Sequence, residues 1–176
     1  MKSNIAIIGF MGVGKTAVGE ALAERLGREF IELDSVIRKK AGKSIADIFL
    51  QDDEIRFREL EIEAVKQVCQ NDRVVISCGG GVVLNLINIE RLRQKSRIVY
   101  LAAAPSVILK RISMGGERRP LLEVPDPAAT ARALLKFRRP LYEHAADIRI
   151  DTTRMNVTQV VDAIISELHK DESFDF

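Results

Sequence analysis

Near its start the chain runs Asn4-Ile5-Ala6-Ile7-Ile8 and then Gly9-Phe10-Met11-Gly12-Val13-Gly14-Lys15-Thr16, an apolar stretch that ends in G-x-x-x-x-G-K-[ST]. No other feature constrains the fold as strongly. The glycines let the backbone turn its amides inward around phosphate oxygens. Lys15 supplies a point charge for β and γ phosphates, and the Thr16 hydroxyl can ligate Mg²⁺. Asn4 to Ile8 is expected to be a strand. Val18, Leu22 and Leu26 fall on one side of a helix predicted over Lys15 to Leu26, closed by Gly27. A glycine-rich strand-to-helix turn can also exist without a ligand, but the helix N-terminus and its dipole favour bound phosphate here.

The rest of the chain repeats this alternation. Apolar runs predict strands at Phe30 to Leu33, Arg73 to Ser77, Arg97 to Leu101 and Ile148 to Asp151, with a closing helix near Thr158 to Leu168. The expected fold is α/β, three layers αβα around a central five-stranded parallel sheet, in one domain spanning residues 1–170. Two stretches exceed a minimal alternation. Between the second and third strands lie helical pieces at Val36 to Ala41, Ser44 to Leu50 with Asp47 completing a capping box, and Glu54 to Val68, an insertion with room for an acceptor site. Ser113 to Pro127 carries Gly115-Gly116, Arg118-Arg119 and three prolines without an apolar period, and reads as a mobile loop. The acidic end, residues 171–176, is expected to be flexible.

Composition narrows the partners. Twenty-seven Lys and Arg stand against 25 Asp and Glu, and aromatic residues make up 5%. Nucleic-acid binders usually carry a marked basic excess and stacking rings, so the expected partner is a small molecule. No run reaches the roughly 18 to 20 apolar residues of a membrane span, and the N-terminus lacks a signal peptide's apolar centre, so a cytoplasmic protein is expected. Two cysteines, Cys69 and Cys78, and two histidines, His144 and His169, assemble neither a disulfide framework nor a structural zinc site. Both cysteines are expected to be buried small hydrophobes.

Candidate acceptor residues follow. Strand alternation is expected to point Glu32 and Asp34 to the same side, one carboxylate to support hydrated Mg²⁺ and the other to accept a hydrogen bond from a substrate hydroxyl. The same pattern also suits a strand end with Asp34 as a helix N-cap. Gly79-Gly80-Gly81 after the third strand allow a ligand to approach the backbone closely. Arg138-Arg139-Pro140-Leu141-Tyr142 are expected to begin a new segment at the proline, after a helix starting at Pro127. Arg58 and Arg138 facing the glycines would suit a small carboxylated polyol, because a guanidinium holds a carboxylate with two parallel hydrogen bonds. Taken singly, each arginine also suits a solvated surface.

Together these pieces resemble the shikimate kinases: GFMGVGKT, FIELDSVI, AGKSIADIF, IRFRELE, SCGGGVV, RRPLL, RRPLY and ADIRIDT occur in the family's order over almost the whole chain. The resemblance implies a P-loop kinase fold and ATP-dependent phosphorylation of the shikimate 3-hydroxyl, with Mg²⁺, by a cytoplasmic monomer with no nucleic-acid or membrane partner. It implies an acceptor-binding segment at about 34–61 and a lid at about 113–126. Asp34, Arg58, Gly79, Gly80, Gly81 and Arg138 resemble the shikimate site. Gly12, Val13, Gly14, Lys15, Thr16, Ala17, Arg111, Arg119 and Arg154 resemble the ATP site. Asp34, Lys15 and Arg119 would be catalytic, and Thr16 would hold Mg²⁺ with Glu32 and Asp34 acting through water. The chain departs from the family at Glu32, usually aspartate, at Arg139, often asparagine, and at the additional Arg118. A gluconate-type or nucleoside monophosphate kinase, or a nucleotide-binding switch without catalysis, are the alternative readings.

Overall fold

A computed structural model describes residues 2–114 and 120–176. Its elements, in order, are β1 (Asn4–Ile8), α1 (Lys15–Leu26), β2 (Glu29–Glu32), α2 (Leu33–Ala41), α3 (Ile45–Gln51), α4 (Asp53–Val68), β3 (Val74–Ser77), α5 (Leu86–Lys95), β4 (Ser96–Ala102), α6 (Pro105–Met114), α7 (Pro127–Ala145), β5 (Ile148–Asp151) and α8 (Val157–His169). Short 3₁₀ turns sit at Val82–Leu84 and Pro120–Leu122.

All five strands are parallel, in the order β2-β3-β1-β4-β5. Every residue of β1 is buried, as a central parallel strand covered on both faces requires. Its alternating side chains feed two cores. Ile5 and Ile7 pack with Val18 and Leu22 of α1 and with Val160, Val161, Ile164 and Leu168 of α8. Ala6 and Ile8 face the opposite layer, against Leu33 and Ile37 of α2, Phe57, Leu60 and Ala64 of α4, and Tyr142 of α7. Chain order reverses at β1, which lies between β3 and β4, so a crevice forms at the carboxyl ends of these strands, where parallel α/β sheets bind ligands.

Four sequence expectations are corrected. Helix α2 begins at Leu33, directly after β2, so strand alternation does not relate Glu32 to Asp34: Glu32 ends the strand and Asp34 lies in the first helical turn. Helix α7 runs unbroken through Pro140. The missing amide and ring clash cost about 3 kcal/mol. Seating Leu135 and Tyr142 on the core at roughly 1.5–3 kcal/mol per large side chain outweighs that cost. Ser113 and Met114 belong to α6, and Pro120–Leu122 form a turn that buries Leu122, while residues 115–119, including Arg118 and Arg119, lie outside the described residues.

The acidic end is packed, not frayed. Phe174 is 6% exposed and pairs by a parallel bridge with Lys2. Arg28 stacks on Phe174, Arg97 pairs with Asp171, and Arg73 donates to the Phe176 carbonyl. These contacts tie residues 171–176 to the amino ends of the strands, away from the crevice.

Candidate active site

The phosphate loop forms because β1 ends in a core that demands a sharp exit. Gly12 and Gly14 adopt φ of 77° and 100°, a region that side chains with a Cβ enter at a cost, and Gly14 then caps α1. The Lys15 ammonium donates to the Phe10 carbonyl at 3.0 Å, folded back over its own loop. Thr16 Oγ1 donates to Glu32 Oε1 at 3.4 Å. Arg111 of α6 donates to the Val13 carbonyl at 3.2 Å, tying α6 to the loop. Val13 itself is buried, so only its backbone is available for a ligand.

A cleft of about 850 Å³ opens beside this loop. Gly12, Gly14, Lys15, Thr16, Ala17 and Arg111 line one end, and Asp34, Arg58, Gly79, Gly80, Gly81 and Arg138 line the other, with Glu32 between. The structure therefore brings together nearly all the described residues that the sequence singled out. Arg154 and the buried Val13 are exceptions. Arg154 is exposed in the turn after β5 and does not line the cleft.

The acceptor end is built on the three glycines. A Cβ at Gly80 would lie 3.4 Å from Met11 N and 3.6 Å from Gly9 O, so the glycine shelf abuts the phosphate loop. At Gly79 a Cβ would meet Asp34 Oδ1 at 3.1 Å and Glu61 Oε1 at 3.3 Å. At Gly81 it would fall 2.2 Å from Arg58 Nη1. Gly79 and Gly81 thus leave space that functional side chains occupy, while Gly80 lies against the backbone of the loop. Arg138, 3% exposed, donates to the Gly80 carbonyl at 3.4 Å.

Sequence reasoning missed two residues of this cleft. Glu61 is fully buried and accepts from Arg58 Nη1 at 3.2 Å on both oxygens, while Glu54 holds the other side of the same guanidinium. Burial pushes the Glu61 carboxyl up to about 7, against the opposing pull of Arg58. The signal was the i,i+3 spacing from Arg58 on α4. Arg38 also lines the cleft. It donates to Glu32 Oε2 at 3.0 Å and to Ser35 Oγ at 2.6 Å, and Ser35 donates to the same Glu32 oxygen. The longer side chain at position 32 is thereby held at one oxygen and offered to Thr16 at the other. Arg139, by contrast, pairs with Glu143 at 2.9 Å on the solvent side of α7 and does not reach the cleft.

Cys78 is buried beside the glycines, its thiol pushed far up by desolvation, and Cys69 is half-buried; both are free thiols.

Among the described residues no cluster of three or more His, Cys, Asp or Glu could cage a metal, and no helix is long and apolar enough to cross a membrane. The oxygen donors beside the loop, the Thr16 hydroxyl and the Glu32 carboxylate, suit a hard cation carried chiefly by phosphates and water.

The family model described as shikimate kinase matches residues 11–169. A shikimate kinase of Symbiobacterium thermophilum is 44% identical over 168 residues, 95% of this chain and 97% of that protein. Among solved structures, a shikimate kinase from Acinetobacter baumannii in complex with shikimate superposes with a TM-score of 0.92 at 35% identity, covering 98% of this chain and 96% of that one. The shikimate kinase from Aquifex aeolicus gives 0.82 at 32% identity, with 94% and 96% covered.

Proposed function

The chain belongs to the shikimate kinase family, and we propose from that premise how its cleft moves a phosphoryl group from ATP to shikimate. The activity is ATP-dependent phosphorylation of shikimate, a step of aromatic amino-acid biosynthesis. The observation that carries the residue assignment is the meeting of Arg58 and Arg138 at a glycine shelf that abuts the phosphate loop. A carboxylated acceptor held by the two guanidiniums would present a hydroxyl toward the loop.

Phosphoryl transfer needs alignment of donor and acceptor and neutralisation of charge, with little covalent help. Lys15 leaves the Phe10 carbonyl for the β and γ phosphates, and the loop amides hold the remaining oxygens. Asp34, beside Gly79, orients the acceptor hydroxyl and takes its proton. Arg111, tied to the loop, flanks the nucleotide. Arg119 would close with the lid, adding charge and excluding water that would otherwise take the phosphoryl group. Mg²⁺ would be held by Thr16, with Glu32 acting through water; when bound with the nucleotide it neutralises charge on the β and γ oxygens. Asp34 at the cleft's acceptor end is assigned to the hydroxyl in preference to the metal. The enzyme is taken to act in the cytoplasm, in keeping with its free thiols. A monomer is the state proposed for it.

ADP release measured with shikimate, gluconate and nucleoside monophosphates in turn tests the reading. Stimulation by shikimate alone is expected; comparable stimulation by gluconate would overturn the assignment of Arg58 and Arg138 to a rigid carboxylated acceptor.

A further inference from the structure

A run of three glycines has a backbone problem that its side chains cannot solve. With no Cβ on either flank, the Gly80–Gly81 peptide can rotate between orientations at little cost. The trans peptide is planar, so the Gly80 carbonyl and the Gly81 amide point in opposite directions, and whatever holds the carbonyl also aims the amide. In this chain the carbonyl is held from the core side. Tyr142 of α7 is completely buried, and its hydroxyl donates to Gly80 O at 2.5 Å. Arg138, one helical turn earlier, donates to the same oxygen at 3.4 Å. The phenol ring is itself fixed by stacking on Tyr100 of β4, with centroids 5.2 Å apart and planes 20° from parallel.

We propose that Tyr142 is a positioning residue for the acceptor: by holding the Gly80 carbonyl it fixes one orientation of the Gly80–Gly81 peptide and keeps the shelf in register with the phosphate loop. The inference rests on the reading of this shelf as the shikimate site. Its basis is the location of the bond. Gly80 is the glycine whose vacant Cβ position approaches Met11 N and Gly9 O, so a flip there would change the junction between acceptor and donor ends of the cleft. The same contact would also seat Arg138, whose guanidinium lines the acceptor end while bonded to the carbonyl that Tyr142 holds. Burial keeps the phenol protonated, with its ionisation pushed far up by desolvation, so the donor persists across the working pH range.

Tyr142→Phe retains the ring and its stack and removes only the hydroxyl. The expected result is a KM for shikimate raised about tenfold, the consequence of losing one well-formed buried hydrogen bond, with the KM for ATP changed less than about twofold. Calorimetric titration with shikimate in the absence of ATP should show the same weakening. A purely structural hydroxyl would lower the melting temperature and leave the ratio of the two KM values unchanged, and that outcome overturns the proposal, as does equal weakening of both substrates. Should the variant melt near the assay temperature, the titration is run in the cold with saturating ADP, which stabilises the fold by mass action and has no phosphoryl group to transfer to shikimate. An unchanged shikimate affinity there is equally fatal. If the unaltered protein failed to phosphorylate shikimate, the underlying reading would fall; intact transfer with an unaltered KM in the variant removes the role of Tyr142 alone.

Discussion

Arg58 reaches the cleft with Glu61, a carboxylate with no exposed surface, accepting from its Nη1 on both oxygens at 3.2 Å. The pair couples affinity to pH. Glu61 is faced by Arg58, Asp34 and Arg138, and desolvation lifts its carboxyl to about 7. As pH falls through 7 the carboxyl takes up a proton, its hold on Arg58 weakens, and the KM for shikimate should rise while that for ATP stays level.

The same shift acts on stability with the opposite sign. A carboxyl raised above its ordinary 4.5 binds more protons folded than unfolded, so its stabilising contribution is complete below about 4.5 and lost as pH rises through 7. The change is of order 3 kcal/mol if the whole shift is expressed. Urea unfolding from pH 5 to 8 should show this decline in the parent and a flatter profile in Glu61→Gln. Identical profiles would remove Glu61 as the source.

Gly81→Ala separates fold from site. Gly81 has φ of −98°, open to alanine, yet the new Cβ would lie 2.2 Å from Arg58 Nη1. The guanidinium must yield and give up Glu61, with only a modest fall in melting temperature because that carboxyl can take up a proton, while shikimate affinity falls about tenfold or more, as expected for losing a charged hydrogen-bonding partner. Calorimetry with shikimate reads the result; tight binding in this variant would mean that Arg58 is not an acceptor ligand.

Asp34→Asn should leave ATP binding intact and lower transfer to shikimate by at least about 10²-fold, the usual cost of losing acid-base help. Equilibrium binding of a fluorescent ATP analogue beside steady-state turnover distinguishes this from a structural role, in which both would fail together.

Phe174→Ala should cost about 3 kcal/mol or more of unfolding free energy, since a buried ring is lost from the contact of the chain's end with Lys2 and Arg28. The acceptor cleft lies at the other end of the strands, so turnover measured well below the melting temperature should match the parent.

Local chemistry explains what could be read from sequence. The β1-loop-α1 unit was legible because strand, glycines, Lys15 and helix period lie within one short stretch. Alternation failed at Glu32-Leu33-Asp34 because the chain turns helical at Leu33, and nothing in three residues announces that change. Pro140 read as a break because propensity is local, whereas the burial that carries α7 past it comes from residues distant in sequence. Glu61 escaped for a related reason: a glutamate on a charged helix looks solvated until the fold places it under Gly79. Phe174 was hidden among acidic neighbours, and its docking depends on Lys2 and Arg28 at the far end of the chain.

The stacking of Tyr100 on Tyr142 carries a spectroscopic consequence. The chain has two tyrosines and no tryptophan, so essentially all of its intrinsic ultraviolet emission arises from this one pair, one member of which is bonded to the Gly80 carbonyl. The unlabelled protein therefore carries a built-in optical reporter at the base of its acceptor shelf, through which ligand entry can be followed in real time without adding a dye or altering a residue.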